Sequence, residues 1–249
     1  MNAPIKSESP IAVRAIRKAF GELVVLDGIT FELVSGQVTC VLGRSGTGKS
    51  VLLRLLIGLE KPDAGSIQVA GQDLLSASLA ELNEARKKVG FLFQQSALYD
   101  SMTIGENVAF PLRRHSKLSE SERGERVHQL LASVEMDRDL DKMPSDLSGG
   151  MRKRVGLARA LALEPKIVMF DEPTAGLDPI TAAEIAKLIV GLRERHITSI
   201  VVTHDIHTAR TIADRLIVLD GGKSLFDGSF AELNDSKHPF IMQFMKDAA

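Results

Sequence analysis

Residues 43–50 read Gly43-Arg44-Ser45-Gly46-Thr47-Gly48-Lys49-Ser50, which matches the phosphate-binding loop pattern G-x-x-x-x-G-K-[ST]. No other stretch constrains the fold as strongly, because this chemistry needs a fixed context of a buried strand entering and a helix leaving. The apolar run Val38–Leu42 supplies the strand, and Val51-Leu52-Leu53-Arg54-Leu55-Leu56 continues as a helix whose N-terminus faces the phosphates. Gly43, Gly46 and Gly48 let the backbone turn tightly and point successive N–H groups inward at anionic oxygens. Lys49 adds a compact positive charge for the terminal phosphates, and the Ser50 hydroxyl is placed to ligate Mg²⁺. A plain Gly/Ser turn would show the same composition, but the two flanks together favour a nucleotide site.

What else the chain can be is bounded by composition. Its 249 residues suffice for one large domain or two lobes sharing a core. A net charge of −1 provides no overall field to recruit nucleic acid or anionic lipid, and no nucleic-acid partner is expected. The local exception, Arg152-Lys153-Arg154, reads as a solvated helix face. One cysteine, Cys40, rules out an internal disulfide and suits a reducing compartment; its expected role is a small apolar residue in the strand before the loop. The start MNAPIKSESP lacks the basic and apolar regions of a signal peptide, and no apolar run approaches the roughly eighteen residues that cross a bilayer. The expectation is a soluble, cytosolic chain whose membrane role comes through a partner.

Along the chain, residues 1–10 read as a polar tail. Ile11–Leu33 reads as antiparallel strands with turns at Gly21 and Asp27-Gly28. The helix after the phosphate loop extends to about Leu59. Ser66–Ala70 forms a further strand, Leu79–Lys88 a helix and Val89–Phe93 a buried strand ending at Gln94. Between about Ser96 and Leu163 no strand pattern appears. Ser119-x-x-Glu122 is a capping box opening a helix to about Val134, and an Ala/Leu/Arg helix covers 150–163. Strands return at Ile167–Phe170, Ser199–Val202 and Leu216–Leu219, with a helix from Pro179, capped by Asp178, to Arg195 and another near 206–213. Strands alternating with helices imply a parallel sheet, so the fold class is α/β.

A second motif is Ile167-Val168-Met169-Phe170-Asp171-Glu172. Four apolar residues make a central strand whose carboxyl end presents two acids, where open α/β sheets bind ligands. Asp171 suits contact to Mg²⁺ through its waters, and Glu172 suits polarising the water that attacks the γ-phosphorus. A third motif, Leu147-Ser148-Gly149-Gly150-Met151, precedes an arginine-rich helix, so a hydroxyl, glycine N–H groups and a helix N-terminus again converge on an anion. One nucleotide does not need two cradles on one chain. Two chains head to tail, each offering its cradle to the other's ATP, do.

With these three motifs in order, nearly the whole chain resembles the ATP-binding cassette (ABC) ATPase family, and LSGGM resembles its signature. The resemblance implies a P-loop NTPase fold in which 11–95 and 164–249 form a RecA-like core with an antiparallel β subdomain, and 96–163 an inserted helical lobe. It implies ATP and Mg²⁺ as cofactors, with Gln94 as the glutamine touching Mg²⁺ and the attacking water and His204 as the histidine touching the γ-phosphate. Ala175–Asp178 matches the loop that crosses the dimer interface. Phe20 falls where the family stacks an aromatic on adenine. Taken alone, Gln94 reads as a strand-end surface group, His204 as a structural histidine and Phe20 equally as core.

Met151 departs from the glutamine that usually ends the signature, so an amide contact to the opposite ribose is lost. LSGGM, Phe93–Thr103, Glu106–Arg113 and Asp178-Pro179-Ile180-Thr181 are together similar to the Mla/Mce-type lipid-transport ATPases. That likeness implies an MlaE-like integral permease, a periplasmic Mce-domain protein, a small STAS-type regulatory subunit and a homodimer of this chain at the cytoplasmic side of an inner membrane, moving phospholipid. Residues 95–113, with Leu98, Tyr99 and Met102, are where motion would pass to the permease. The competing readings are a cassette energising another cargo and a soluble cassette ATPase outside transport.

Overall fold

The computed structural model describes residues 9–247. The expected N-terminal tail therefore lies outside the described residues except at Ser9 and Pro10, and these two are tied down. Ser9 Oγ donates to Glu32 Oε2 at 3.0 Å, and Pro10 O accepts from Ala70 N at 2.8 Å.

Strands β1 (Ile11–Phe20) and β2 (Leu23–Glu32) form an antiparallel hairpin. The expected turn at Asp27-Gly28 is not a turn. Gly28, at φ 78°, sits inside β2 where the register with β1 shifts between Ile16 and Arg17, so the glycine is absorbed as a bulge and the chain does not reverse. Asp27 N donates to Gly222 O at 2.7 Å, pinning this hairpin to the last one. Next come β3 (Val38–Leu42), buried throughout, and α1 (Lys49–Leu56). Helix α1 stops short of Leu59 because Gly58 takes φ 66° and donates to Leu55 O, closing the last turn. Strands β4 (Ala64–Val69) and β5 (Gln72–Asp73) complete a four-stranded antiparallel sheet in the order β2-β1-β4-β5.

Helix α2 (Leu79–Lys87) leads into β6 (Val89–Leu92). Then follow α3 (Ile104–His115), α4 (Glu120–Ala132), a 3₁₀ turn at Pro144–Asp146 and α5 (Gly149–Ala160), with no strand among the described residues between β6 and the next strand. The Ser119–Glu122 capping box is present in both halves, which is why α4 begins where its sequence says. Strand β7 (Ile167–Asp171) precedes α6 (Pro179–Gly191), whose cap Asp178 accepts from Ile180 N and Thr181 N. Helix α6 ends at Gly191, not Arg195, since 192–196 closes in tight turns with His196 at φ 53°. The chain finishes with β8 (Thr198–Thr203), α7 (Ile206–Ile212), β9 (Arg215–Asp220), β10 (Lys223–Gly228), α8 (Phe230–Asn234) and α9 (Pro239–Asp247).

The second sheet runs β10-β9-β3-β8-β7-β6, parallel except for the antiparallel edge strand β10. It is buried on both faces, as parallel sheets require. One face packs Val41, Met169, Ile200 and Val202 against Leu52, Leu53 and Leu56 of α1; the other packs Cys40, Leu42, Phe170 and Val201 with Val155 of α5 and Ile185 of α6. Cys40 is fully buried, and burial raises its thiol far above the ordinary range, as befits a core residue. Because β8 lies between β3 and β7, the carboxyl ends of these three strands stand side by side, and the site is built there.

Candidate nucleotide site

The loop after β3 is shaped by glycines at two positions where no other residue fits. A Cβ on Gly43 would lie 2.6 Å from Leu219 O and from Thr47 Oγ1, and Gly48 combines φ 92° with a would-be contact of 2.9 Å to Leu26 Cδ2. Lys49, the first residue of α1, folds its side chain back over the loop. Its Nζ donates to Gly43 O at 2.8 Å and Arg44 O at 3.0 Å, and lies 3.7 Å from Glu172 Oε1. Burial lowers its pKa, and the charge of Glu172 opposes that shift.

From the end of β7 come both acids. Ser50 Oγ donates to Asp171 Oδ1 at 3.0 Å, joining residues 121 apart in sequence. Burial raises the pKa of Asp171, while the Ser50 bond and the nearby Lys153 and Lys49 charges oppose that shift. Glu172 takes φ 47° and is buried. A non-glycine residue at such a φ is strained by an order of about 1–3 kcal/mol and tends to mark a functional site. Its Oε2 accepts from Thr203 Oγ1 at 3.1 Å and lies 3.0 Å from His204 Nδ1, both at the end of β8. The His204 ring is 55% exposed, so one edge holds Glu172 while the rest faces solvent.

A hydroxyl beside a carboxylate is the hard-oxygen set that suits Mg²⁺, an ion that takes one or two protein carboxylates and completes its shell with phosphate and water. Ser50 and Asp171 fit that requirement. Among the described residues no group of three His, Cys, Asp or Glu side chains offers an alternative metal site.

Lys49, Ser50, Asp171, Glu172 and His204 are thus brought together. Gln94 joins them through its backbone: its carbonyl accepts from Lys153 Nζ, which also donates to Glu172 O at 3.3 Å. Among the described residues no hydrogen bond links Phe20 or Ser148 to this cluster. Phe20 is not core; it is 44% exposed at the end of β1, with Lys18 Nζ 5.0 Å above its ring. Ser148 caps α5, accepting from Met151 N at 3.2 Å, and stays exposed beside Gly149 and Gly150. The Met151 side chain packs against the core, which gives an apolar residue a use there.

Two residues that touch this cluster carry no such signal in the sequence. Thr203 carried no signal beyond preceding His204. Lys153, expected on a solvated basic face, is instead 4% exposed, and Arg154 beside it is buried too. Arg154 bonds Val134 O, Glu135 and Glu184, so two of the three cations fasten α5 to its neighbours.

A strand–loop–helix phosphate cradle, a hydroxyl–carboxylate pair and a glutamate–histidine pair on one sheet edge define a P-loop ATPase. The chain belongs to the ABC transporter family: the family's model matches residues 26–175, and the protein is an ATP-binding cassette, an ATPase coupled to transport. It is 42% identical, over 94% of its length, to a probable ribonucleotide transport ATP-binding protein, mkl, of Mycobacterium leprae, of which it spans 68%. It is 39% identical over 96% of its length to the intermembrane phospholipid transport system ATP-binding protein MlaF of Haemophilus influenzae, covering 91% of that protein. Among solved structures, the dimeric post-hydrolysis state of the cassette MJ0796 bound to ADP and Pi matches with a TM-score of 0.81 at 33% identity, over 88% of this chain and 98% of that one.

Proposed function

We propose that this chain is the ATP-hydrolysing subunit of a membrane transporter that moves phospholipid, and that it works as a head-to-tail homodimer around two ATP molecules. The observation that carries the reading is the Glu172 carboxylate, held by Thr203, His204 and Lys49 beside the Ser50–Asp171 pair, with a second candidate cradle where exposed Ser148 caps the helix that starts at Gly149. The loop residues Gly43, Arg44, Ser45, Gly46, Thr47 and Gly48 wrap the phosphates, and Lys49 leaves its own loop carbonyls for the γ-phosphate. Phe20 stacks on the adenine. Ser50, Asp171 and Gln94 would hold Mg²⁺, which would supply positive charge to offset that of the phosphates. Glu172 takes the proton of the attacking water while His204 holds the transferring phosphoryl group. Each γ-phosphate draws in the partner's Ser148–Gly150, and its loss on hydrolysis lets the dimer reopen.

The phospholipid cargo is supported by likeness to MlaF over almost the full length of both chains. It carries the expectation of an MlaE-like permease, a periplasmic Mce-domain protein and a small STAS-type subunit at an inner membrane. No helix among the described residues is long and apolar enough to cross a membrane, which fits attachment through a permease. Tyr99, Phe110, Pro111 and Arg159 line a groove on the helical side where residues 95–113 would receive it. A second reading, a different cargo, is favoured by the comparable identity to mkl, whose name specifies ribonucleotide transport. Affinity purification of the tagged chain from native membranes, with mass spectrometry of co-purified proteins and extracted lipids, tests both. A permease with bound phospholipid supports the first; a permease without lipid, whose ATPase responds to a soluble solute, supports the second; recovery without any membrane protein removes both.

A further inference from the structure

Lys153 is buried on α5 five residues after Ser148, and its ammonium donates to two backbone carbonyls that belong to different strand ends, Gln94 O after β6 and Glu172 O after β7. Neither bond is local: 59 and 19 residues separate the partners. One and a half turns further along α5, Arg159 does the same for the next part of the 94–97 segment, donating to Ser96 O and Ala97 O at 2.8 Å each. Between them lies Gly156, where a Cβ would come within 2.7 Å of Leu92 Cδ1 and 3.2 Å of Ser96 Cβ, so the helix approaches this segment closely there.

The clamped segment also carries strain. Ser96 and Ala97 both take left-handed φ values, 60° and 46°, as does Glu172 at 47°. Two successive non-glycine residues in that region persist only where surroundings hold them. Arg159 holds the carbonyls of both, while Lys153 anchors the segment at Gln94 O and holds Glu172 through its own carbonyl. A buried charge is costly unless paired, and Lys153 faces Asp171 and Glu172, whose charges offset part of its desolvation. A helix that only needed to pack would be better served by an apolar residue at this position.

We propose that Lys153 is a positioning residue that fixes the backbone of Glu172 and Gln94 to the helix bearing Ser148, so that movement of α5 at one ATP is transmitted to the hydrolytic carboxylate at the other. This rests on the dimer reading above. The N-terminal end of α5 serves the partner's nucleotide, whereas Lys153, on the same rigid helix, serves the chain's own. Closure of either site therefore displaces or seats Glu172 in its neighbour, which is a coupling between sites carried by a single element.

The test uses the full chain and two substitutions, K153M, which keeps length and removes the donor, and K153R, which restores a planar donor for both carbonyls. ATP affinity is read by calorimetry, turnover by phosphate release against ATP concentration, and folding by thermal melts. The inference expects K153M to bind ATP as tightly as the wild type within about twofold, and to melt somewhat lower because Gln94 O and Glu172 O lose their donor, a deficit that K153R restores. It expects kcat to fall at least about tenfold from misplacement of Glu172, and the Hill coefficient to drop from above one toward one. K153R recovers most of kcat. Wild-type kcat and Hill coefficient in K153M overturn the inference, and so does a loss of kcat that tracks a lowered melting temperature without rescue by K153R. The dimer reading is checked separately by size-exclusion chromatography of E172Q with ATP. If that variant stays monomeric, the dimer reading fails and the inference with it. If it dimerises while K153M behaves as wild type, only the inference fails.

Discussion

Glu172 Oε2 lies 3.0 Å from His204 Nδ1, while the other oxygen of the same carboxylate lies 3.7 Å from Lys49 Nζ. One side chain is thus suspended between the end of β8 and the first residue of α1, and each neighbour is a group that ATP would engage.

Replacing that carboxylate by an amide keeps its shape and removes its basicity. Glu172→Gln is expected to lower ATP turnover by about 10²–10⁴-fold, the usual contribution of a positioned general base. ATP binding is retained, so an ATP-bound dimer accumulates, visible by light scattering after gel filtration. Turnover persisting near the wild-type rate would take Glu172 out of the hydrolytic step.

Lys49 spends its charge on Gly43 O and Arg44 O and on Glu172. Lys49→Ala removes a charge-assisted contact to phosphate, worth about 1.5–3 kcal/mol, and so weakens ATP binding by roughly 10–100-fold. Because burial already disfavours its charged form, the melting temperature should change little. Unaltered affinity in a calorimetric titration would remove the phosphate loop from its assigned task.

The legible part of this chain is the part whose chemistry is local. A phosphate loop needs its glycines, lysine and serine in consecutive positions, and Asp171 and Glu172 follow four apolar residues that can only be a buried strand. Asp178 and Ser119 announce the helices they cap for the same reason. Lys153 was illegible because three cations in a row look alike on a solvated helix and on one wedged against two strand ends; only packing distinguishes them. Asp27-Gly28 misled in the opposite direction. Its residues are turn formers, but pairing on both sides of the bulge outweighs local preference, and Gly222 O takes the Asp27 amide. Phe20 remained ambiguous because a strand end can point an aromatic either way.

Arg154 ties α5 to the turn after α4 and to α6, donating to Val134 O at 2.9 Å, Glu135 Oε2 at 2.8 Å and Glu184 Oε2 at 2.9 Å. Both glutamates reach solvent, so the ion pairs are discounted and the buried carbonyl bond matters more. Arg154→Met keeps the apolar stem and is expected to cost about 1–2 kcal/mol. For a chain of this size that corresponds to a fall in Tm of roughly 2–8 °C, measured by calorimetry. Affinity for ATP should be unaffected, and a melting temperature equal to that of the wild type would show that α5 is held without this residue.

Cys40 offers a clean report on the central sheet because it is the only cysteine in the chain. It sits in β3 with no exposed surface, and burial, reinforced by the nearby Asp214 charge, pushes its thiol up while Arg193 opposes the shift. The folded protein therefore keeps a neutral thiol where an unfolded chain, ionising near 8.5, already presents thiolate at pH 8. A thiol reagent at pH 8 should leave the native protein unlabelled over the time in which urea-unfolded protein takes up one label per chain. The linkage has a definite sign. A thiol whose folded pKa is raised contributes its stabilisation fully below the unfolded pKa and loses it progressively as pH rises beyond that. Cys40→Ala, which removes one buried sulfur atom, should cost about 1 kcal/mol at pH 7. Its deficit relative to the wild type should narrow in urea titrations above pH 9, because only the wild type pays to keep a proton there. Rapid labelling of the native chain, or a deficit that does not change with pH, would place Cys40 outside the sealed core that holds the strand leading to the phosphate loop.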